Sequence, residues 1–114
     1  MIRVKKKDGT LISEKILNCD TFFKRLRGLM FRRSLDGFDG ILLSPCDSIH
    51  SFFMRMDIDC YFLDADKRVV RVMEKFSPGR LSGFVKNGRY VLELPAGKLP
   101  SGSIAEGDML EIEY

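Results

Sequence analysis

The chain has 114 residues, 45% of them hydrophobic, with 19 Lys and Arg against 16 Asp and Glu for a net charge of +3. That length supports one core without metal or disulfide staples, and the composition excludes a disordered tail, a collagen-like repeat and a cysteine-stapled scaffold. So small a net charge does not by itself point to a polyanion partner.

The first residues, Met1 to Leu17, are basic but lack the apolar run of roughly 7–15 residues and the small-residue cleavage site of a signal peptide. No window approaches the ~20 consecutive apolar residues that span a bilayer. Cys19, Cys46 and Cys60 are odd in number and irregularly spaced, which fits neither a disulfide framework nor a zinc ladder. The expectation is a single cytoplasmic domain over residues 1–114, with free thiols, no cofactor, no metal and no membrane partner.

Charge is split along the chain. Residues 1–33 hold ten Lys and Arg against three acids, and the remainder hold nine against thirteen. Either the basic part binds an anion, or it packs beside the acidic part within one fold. The strand-like pattern of the acidic C-terminus favours the second.

Taken in order, Ile2–Lys6 and Leu11–Leu17 flank Asp8-Gly9 and read as a hairpin, since Asp-Gly supplies the positive φ of such turns. Residues 20–31 have helical spacing instead. Phe22, Phe23, Leu26, Leu29 and Met30 fall within an arc of about 120°, a stripe expected to face the core. Asp20 or Thr21 would cap the first turn. Gly28 either weakens the helix or ends it as a left-handed cap. Further strands are expected at Gly40–Leu43, Ser48–Met54, Ile58–Leu63, Arg68–Phe76, Arg89–Leu94 and Met109–Tyr114. Turn signals such as Ser44-Pro45, Ser77-Pro78-Gly79, Asn87-Gly88 and Glu106-Gly107 separate them. Alternation sets Tyr90, Leu92 and Leu94 against Val91 and Glu93, and Leu110, Ile112 and Tyr114 against Glu111 and Glu113. Ile58–Leu63 is apolar on both faces, which singles out Asp59 within it. The pattern predicts a mainly β protein, a small β-sandwich or jelly-roll-like barrel with one short amphipathic helix.

Several motifs occur together in order: Arg27-Gly28-Leu29-Met30-Phe31-Arg32, a Gly-Ile-Leu-Leu strand, Ser48-Ile49-His50-Ser51-Phe52-Phe53-Met54-Arg55-Met56-Asp57-Ile58-Asp59, Tyr90-Val91-Leu92-Glu93-Leu94-Pro95-Ala96-Gly97 and Gly107-Asp108. In this arrangement the chain, over roughly residues 10–113, resembles the family called domain of unknown function 192. The resemblance implies a compact β-sandwich of jelly-roll type and brings no reaction, substrate or cofactor with it. One stretch departs from the family pattern. Met56-Asp57-Ile58-Asp59 stands where relatives often carry Phe-Pro-Ile-Asp, which frees a backbone N–H and sets a second carboxylate beside Asp59 and close to Arg55.

Four groups of residues could carry chemistry. His50, the single histidine, would share a strand face with Met54 and lie near Arg55, Asp57 and Asp59; it suits a hydrogen-bonded structural role, a general base or one ligand of a metal. A metal site would need ligands the chain does not offer at the usual spacing. Cys46, four residues before His50, would be a nucleophile only if the imidazole lowered its pKa. Arg27, Asp59 and Glu93 form a candidate ion-pair set, pinning the helix to the sheet or lining a cleft that receives an anion. Lys24, Arg25, Arg32 and Arg33 make a basic helix face, a solvated surface by default and a weak nucleic-acid surface otherwise.

No phosphate loop, nucleotide fingerprint or recognisable catalytic motif is present. The expectation is therefore a module that binds a small anionic ligand or a protein partner. Its polar cleft would lie near residues 48–59, with Arg27, His50, Met54, Arg55, Asp59 and Glu93 as its binding residues. The alternatives are a small hydrolase or carbohydrate-modifying enzyme using His50 with Asp59 or Glu93, and weak nucleic-acid binding through the helix face. The enzyme alternative requires His50, Asp59 and Glu93 to converge on one pocket.

Overall fold

The computed structural model describes residues 1–30, 35 and 37–114. Seven strands, β1 (Ile2–Lys6), β2 (Leu11–Cys19), β3 (Gly40–Leu43), β4 (Ile58–Leu63), β5 (Val69–Phe76), β6 (Tyr90–Pro95) and β7 (Leu110–Glu113), accompany one short helix, α1 (Phe22–Arg27). All seven belong to one sheet in the order β5-β4-β6-β3-β2-β1-β7. Every neighbouring pair is antiparallel except β2 and β3, whose parallel pairing needs the crossover that contains α1.

The sheet curls until its two edges touch. Arg68 pairs with Met109, the Val69 N–H donates to the Asp108 carbonyl at 2.8 Å, and the Leu110 N–H donates to the Lys67 carbonyl at 3.0 Å. This half-barrel joins β5 to β7 at one end, where free strand edges would otherwise stand open. The expected mainly β fold with one short helix is present, and its facing layers are opposite walls of this one rolled sheet.

The curl divides the apolar residues into two clusters. The inner one draws on all seven strands, including Val4, Ile16, Leu42, Tyr61, Leu92 and Leu110. The outer one holds Ile41, Leu43, Cys60, Phe62 and Val91 from the central strands, covered by Leu29, Ile49, Met54 and Val85 from the connecting segments. Central strands β3 and β4 are therefore buried throughout their length, as their unbroken apolar runs require. Gly40 is needed where β3 approaches β6, because a Cβ there would run into the Glu93 carbonyl and the Leu94 side chain.

The first hairpin forms as expected, with Gly9 at φ 100°. β1 then lies against β7, and its cations meet the acidic strand: Lys5 reaches Glu113 at 3.0 Å and Lys6 reaches Asp108 at 3.2 Å. The N-terminal basic residues thus pack beside the acidic C-terminus. In β7 Leu110 is buried and Ile112 half-buried, but Tyr114 lies beyond the strand and is 72% exposed.

Two expectations fail. The helical stripe does not face the core: Phe22 is 64% and Phe23 78% exposed, Leu26 is also exposed, and only Leu29 is buried. The helix stops after six residues at Gly28, whose φ of 43° turns the chain inward, so Leu29 and Met30 no longer lie on it. Thr21 is the N-cap, accepting a hydrogen bond from the Lys24 N–H at 3.2 Å. Phe31, Arg32 and Arg33, parts of the expected helix and its basic face, lie outside the described residues. Nor is Ser48–Met54 a strand; its one sheet-like contact is the bridge from His50 to Leu81. The period-two grouping of His50, Phe52 and Met54 fails with it: Met54 is buried, His50 half-buried and Phe52 exposed.

Candidate functional site

Glu93 sits near the middle of β6, flanked in register by Ile41 of β3 and Cys60 of β4. Its side chain points to the outer face, is only 1% exposed, and has no cation paired with it among the described residues. The Oε2 atom has no hydrogen-bond partner among those residues. Burial pushes the carboxyl up to about 8, so at pH 7 it is mostly a neutral acid.

A pocket of about 270 Å³ opens over this carboxyl. One wall is α1 and the turn after it, with Phe22, Leu26, Gly28 and Met30; another is the segment after β3, with Ser48, Ile49 and Met54; Leu43 completes the apolar lining. Arg25, Arg27, Cys46 and His50 add the polar groups. The Arg25 guanidinium donates to the Asp20 and Ser44 carbonyls, both at 3.4 Å, and so holds the helix over the end of β3. Arg27 is exposed at the wall.

His50 stands between α1 and the loop after β5. Its Nδ1 accepts a hydrogen bond from the Phe52 N–H at 3.2 Å, and its ring stacks on Phe52 with centroids 5.3 Å apart. With Nδ1 occupied as an acceptor, the neutral imidazole carries its proton on Nε2.

An irregular segment can form this wall because Ser51 fixes it from below. Its buried hydroxyl donates to the Ser77 carbonyl at 2.6 Å and accepts from the Arg80 N–H at 2.9 Å. Its own N–H donates to the Arg80 carbonyl at 2.8 Å. Ile49 exchanges hydrogen bonds with Ser82, whose hydroxyl and N–H both engage its backbone at 2.9 Å. The backbone polar groups of Asp47, Ile49 and Ser51 are thus met by the loop at residues 77–85 rather than by a ladder.

Of the six expected binding residues, Arg27, His50, Met54 and Glu93 line this pocket. Asp59 does not. It lies in the opposite register, on the inner face, where Oδ1 accepts from the Lys75 N–H at 2.9 Å and Oδ2 from the Gly97 N–H at 3.2 Å. Arg55 is exposed and outside the lining. The Arg27–Asp59–Glu93 ion-pair set is therefore not formed, and the trio of His50, Asp59 and Glu93 does not converge. The site is also more apolar than a polar cleft over residues 48–59 would be.

Cys46 lines the same pocket as His50, but its thiol donates to the Ser48 carbonyl at 3.1 Å, and burial raises its pKa. That is the reverse of an activated nucleophile. Burial likewise pushes the Cys60 thiol up, leaving it a core side chain. Among the described residues no group of three or more His, Cys, Asp or Glu could hold a metal ion, and no helix is long and apolar enough to cross a membrane.

Sequence reasoning missed Phe22 and Leu26 as pocket walls, having assigned them to the core, and missed Ser51 and Ser82 altogether. The one local signal for the latter was a Gly- and Ser-rich loop that carries Leu81 and Phe84 without any periodicity.

The model of the family domain of unknown function 192, described as "Uncharacterized ACR", matches residues 3–112. The chain belongs to this family. It is 34% identical over 116 residues to a UPF0127 protein of Pyrococcus furiosus, covering 97% of this chain and 96% of that one. A UPF0127 protein of Thermococcus sibiricus is 30% identical over 115 residues, covering 96% and 73%. For one of Thermococcus kodakarensis the match is 35% over 103 residues, covering 84% of this chain and only 63% of that relative. Two crystal structures share the fold. One, from Sinorhizobium meliloti 1021, is described as a candidate transcription regulator (TM-score 0.76, 24% identity, 96% of this chain and 90% of that one). The other is a protein of unknown function from Novosphingobium aromaticivorans (TM-score 0.75, 21% identity, 96% and 82%).

Proposed function

We propose that this member of the domain of unknown function 192 family is a binding module. Its ligand is anionic, brings a hydrogen-bond acceptor to Glu93 within the outer-face pocket and seats an apolar body along the pocket walls. The observation that carries this reading is the unpartnered Oε2 of Glu93 beneath an open, mostly apolar pocket. A buried polar atom left without a partner costs about 1–3 kcal/mol, which a ligand that hydrogen-bonds to it recovers. Being mostly neutral at pH 7, Glu93 donates its O–H to an acceptor on the ligand. The cations at the wall, Arg25 and Arg27, favour an anionic ligand over a cationic one. A few well-placed polar groups in an apolar hollow are what small-ligand sites share.

Hexanoate, hexanamide and hexylammonium are suitable probes, followed in amide NMR spectra. Hexanoate and hexanamide should shift the amides of Leu43, Ile49 and Met54, with hexylammonium the weakest of the three. If no probe moves these residues, or if hexylammonium binds best, the reading is wrong.

Hydrolysis has one observation in its favour, the presence of His50 and Glu93 in the same pocket. It requires ester or glycoside turnover that disappears in both His50→Ala and Glu93→Gln, and the position of Asp59 removes the third member of that trio.

A further inference from the structure

Ten large apolar side chains are exposed among the described residues, and seven of them lie on three segments around the Glu93 pocket. Phe22, Phe23 and Leu26 come from α1, Phe52 and Phe53 from the turn after His50, and Leu81 and Phe84 from the loop after β5. Folded chains rarely leave such neighbouring apolar groups uncovered unless the surface is used for binding. The patch is not flat. A second hollow, also of about 270 Å³, adjoins the first and is bounded by Leu81, Gly83 and Phe84. Ser48, Ile49 and His50 form the wall common to both.

The surrounding charge is mainly positive. Residues 20–30, 46–56 and 76–89 carry seven Lys and Arg against two Asp, a net +5 within a chain of net +3. Lys5 and Lys6 of β1 are engaged by Glu113 of β7 and by Asp108 just before it, whereas Lys24, Arg27, Arg55 and Lys86, on the segments that carry the patch, are all exposed.

We propose that this face docks an acidic linear segment of a partner protein, which places a Gln side chain in the first hollow, its carbonyl accepting from Glu93, and an apolar side chain in the second, and lays its carboxylates against the surrounding Lys and Arg. The proposal rests on the preceding reading, that Glu93 donates to an acceptor within its pocket, and adds the second hollow and the charged rim. Two holes with a shared wall suit two anchors on one peptide, the usual arrangement when a groove receives an extended or helical segment. A bilayer surface would need the exposed Phe residues but neither hole. Single-stranded nucleic acid would suit the cations and the exposed Phe rings, but it has no use for a hollow lined by aliphatic and thioether side chains such as Leu26, Met30, Leu43, Ile49 and Met54. Methionines at a binding surface also adapt to different side chains.

The test uses a synthetic peptide of about ten residues, Glu throughout except for one Gln and one Leu three or four positions apart. Its Lys-for-Glu counterpart, phosphatidylserine vesicles and oligo-thymidine serve as competitors. The acidic peptide should shift the amides of residues 48–50 and 81–84 together, and the Lys peptide should bind at least about ten-fold more weakly. The double variant Leu81→Ser/Phe84→Ser, altered only at exposed positions and checked for an unchanged circular dichroism spectrum, should lose about ten-fold in peptide affinity while hexanoate still reaches the Glu93 pocket. Arg27→Glu/Lys86→Glu should shift preference toward the Lys peptide. Hexanoate binding without peptide binding overturns this proposal alone; failure of both overturns the pocket reading as well. Vesicles or oligo-thymidine binding in preference to the acidic peptide also overturns it.

Discussion

Each face of the sheet holds one buried acid, and the two are treated in opposite ways. On the inner face Asp59 has a backbone N–H on each oxygen, from Lys75 and Gly97. On the outer face, across one strand pairing, Glu93 leaves an oxygen with no partner among the described residues and opens onto a pocket. They sit on the neighbouring central strands β4 and β6 and both are almost fully buried, but they differ in the number of partners. Asp59, its lone pairs met by the fold, ties β5 to the turn after β6; Glu93 is, on the reading proposed above, a group the fold holds available.

That contrast extends to the surrounding cores, and substitutions sharpen it in order of effect. Leu92→Ala in the inner cluster should cost about 2–5 kcal/mol in urea unfolding, since all seven strands close around it and leave the cavity little means to collapse. Asp59→Ala should cost about 3 kcal/mol by stranding the Lys75 and Gly97 N–H groups, with the loss concentrated in faster amide exchange at the end of β5 and the turn after β6. A neutral Asp59→Ala would dissolve the distinction between the two acids.

Glu93 should behave differently, and through pH. Its carboxyl, near 8 when folded, keeps a proton that the unfolded chain loses from the ordinary carboxylate value of 4.5 upward. Between those values the native state binds more protons, so stability falls as pH rises, by up to roughly 1.4 kcal/mol per unit, and levels off above the folded value. Glu93→Gln should remove that slope and be more stable than the parent on the alkaline side. Parallel slopes for parent and variant would mean that the acid has a partner after all. The smallest effect belongs to the outer rim: Phe22→Ser should change stability by no more than about 0.5 kcal/mol, although the same ring forms a wall of the pocket. A large loss there would return the helix to the core.

Several elements were legible before any coordinates. The Asp8-Gly9 hairpin, the Gly40–Leu43 and Ile58–Leu63 strands, and the alternation that separates Leu92 from Glu93 follow from turn chemistry and a period of two, both properties of a few consecutive residues. Of the candidate site, Arg27, His50, Met54 and Glu93 were named and are brought together; Asp59 and Arg55 were named and lie elsewhere. The stripe on α1 misled because periodicity assumes that the helix continues, and Gly28 ends it before Leu29. The stretch from Ser48 to Met54 misled because its alternation imitates a strand, while its backbone bonds are supplied by Ser51, Ser82 and a loop some thirty residues away.

Local order on this chain, including strand identity, turn positions and the faces of β6 and β7, was set by the sequence itself, because side-chain alternation and positive-φ turns act between near neighbours. Family membership was equally readable from the order of its motifs. Only the tertiary structure decided that β2 and β3 run parallel, that the sheet curls until β5 meets β7, and that Asp59 and Glu93 face opposite ways with opposite numbers of partners. The reason is physical: whether a buried carboxylate is satisfied depends on N–H groups delivered by distant turns, and no spacing along the chain records which turns will arrive.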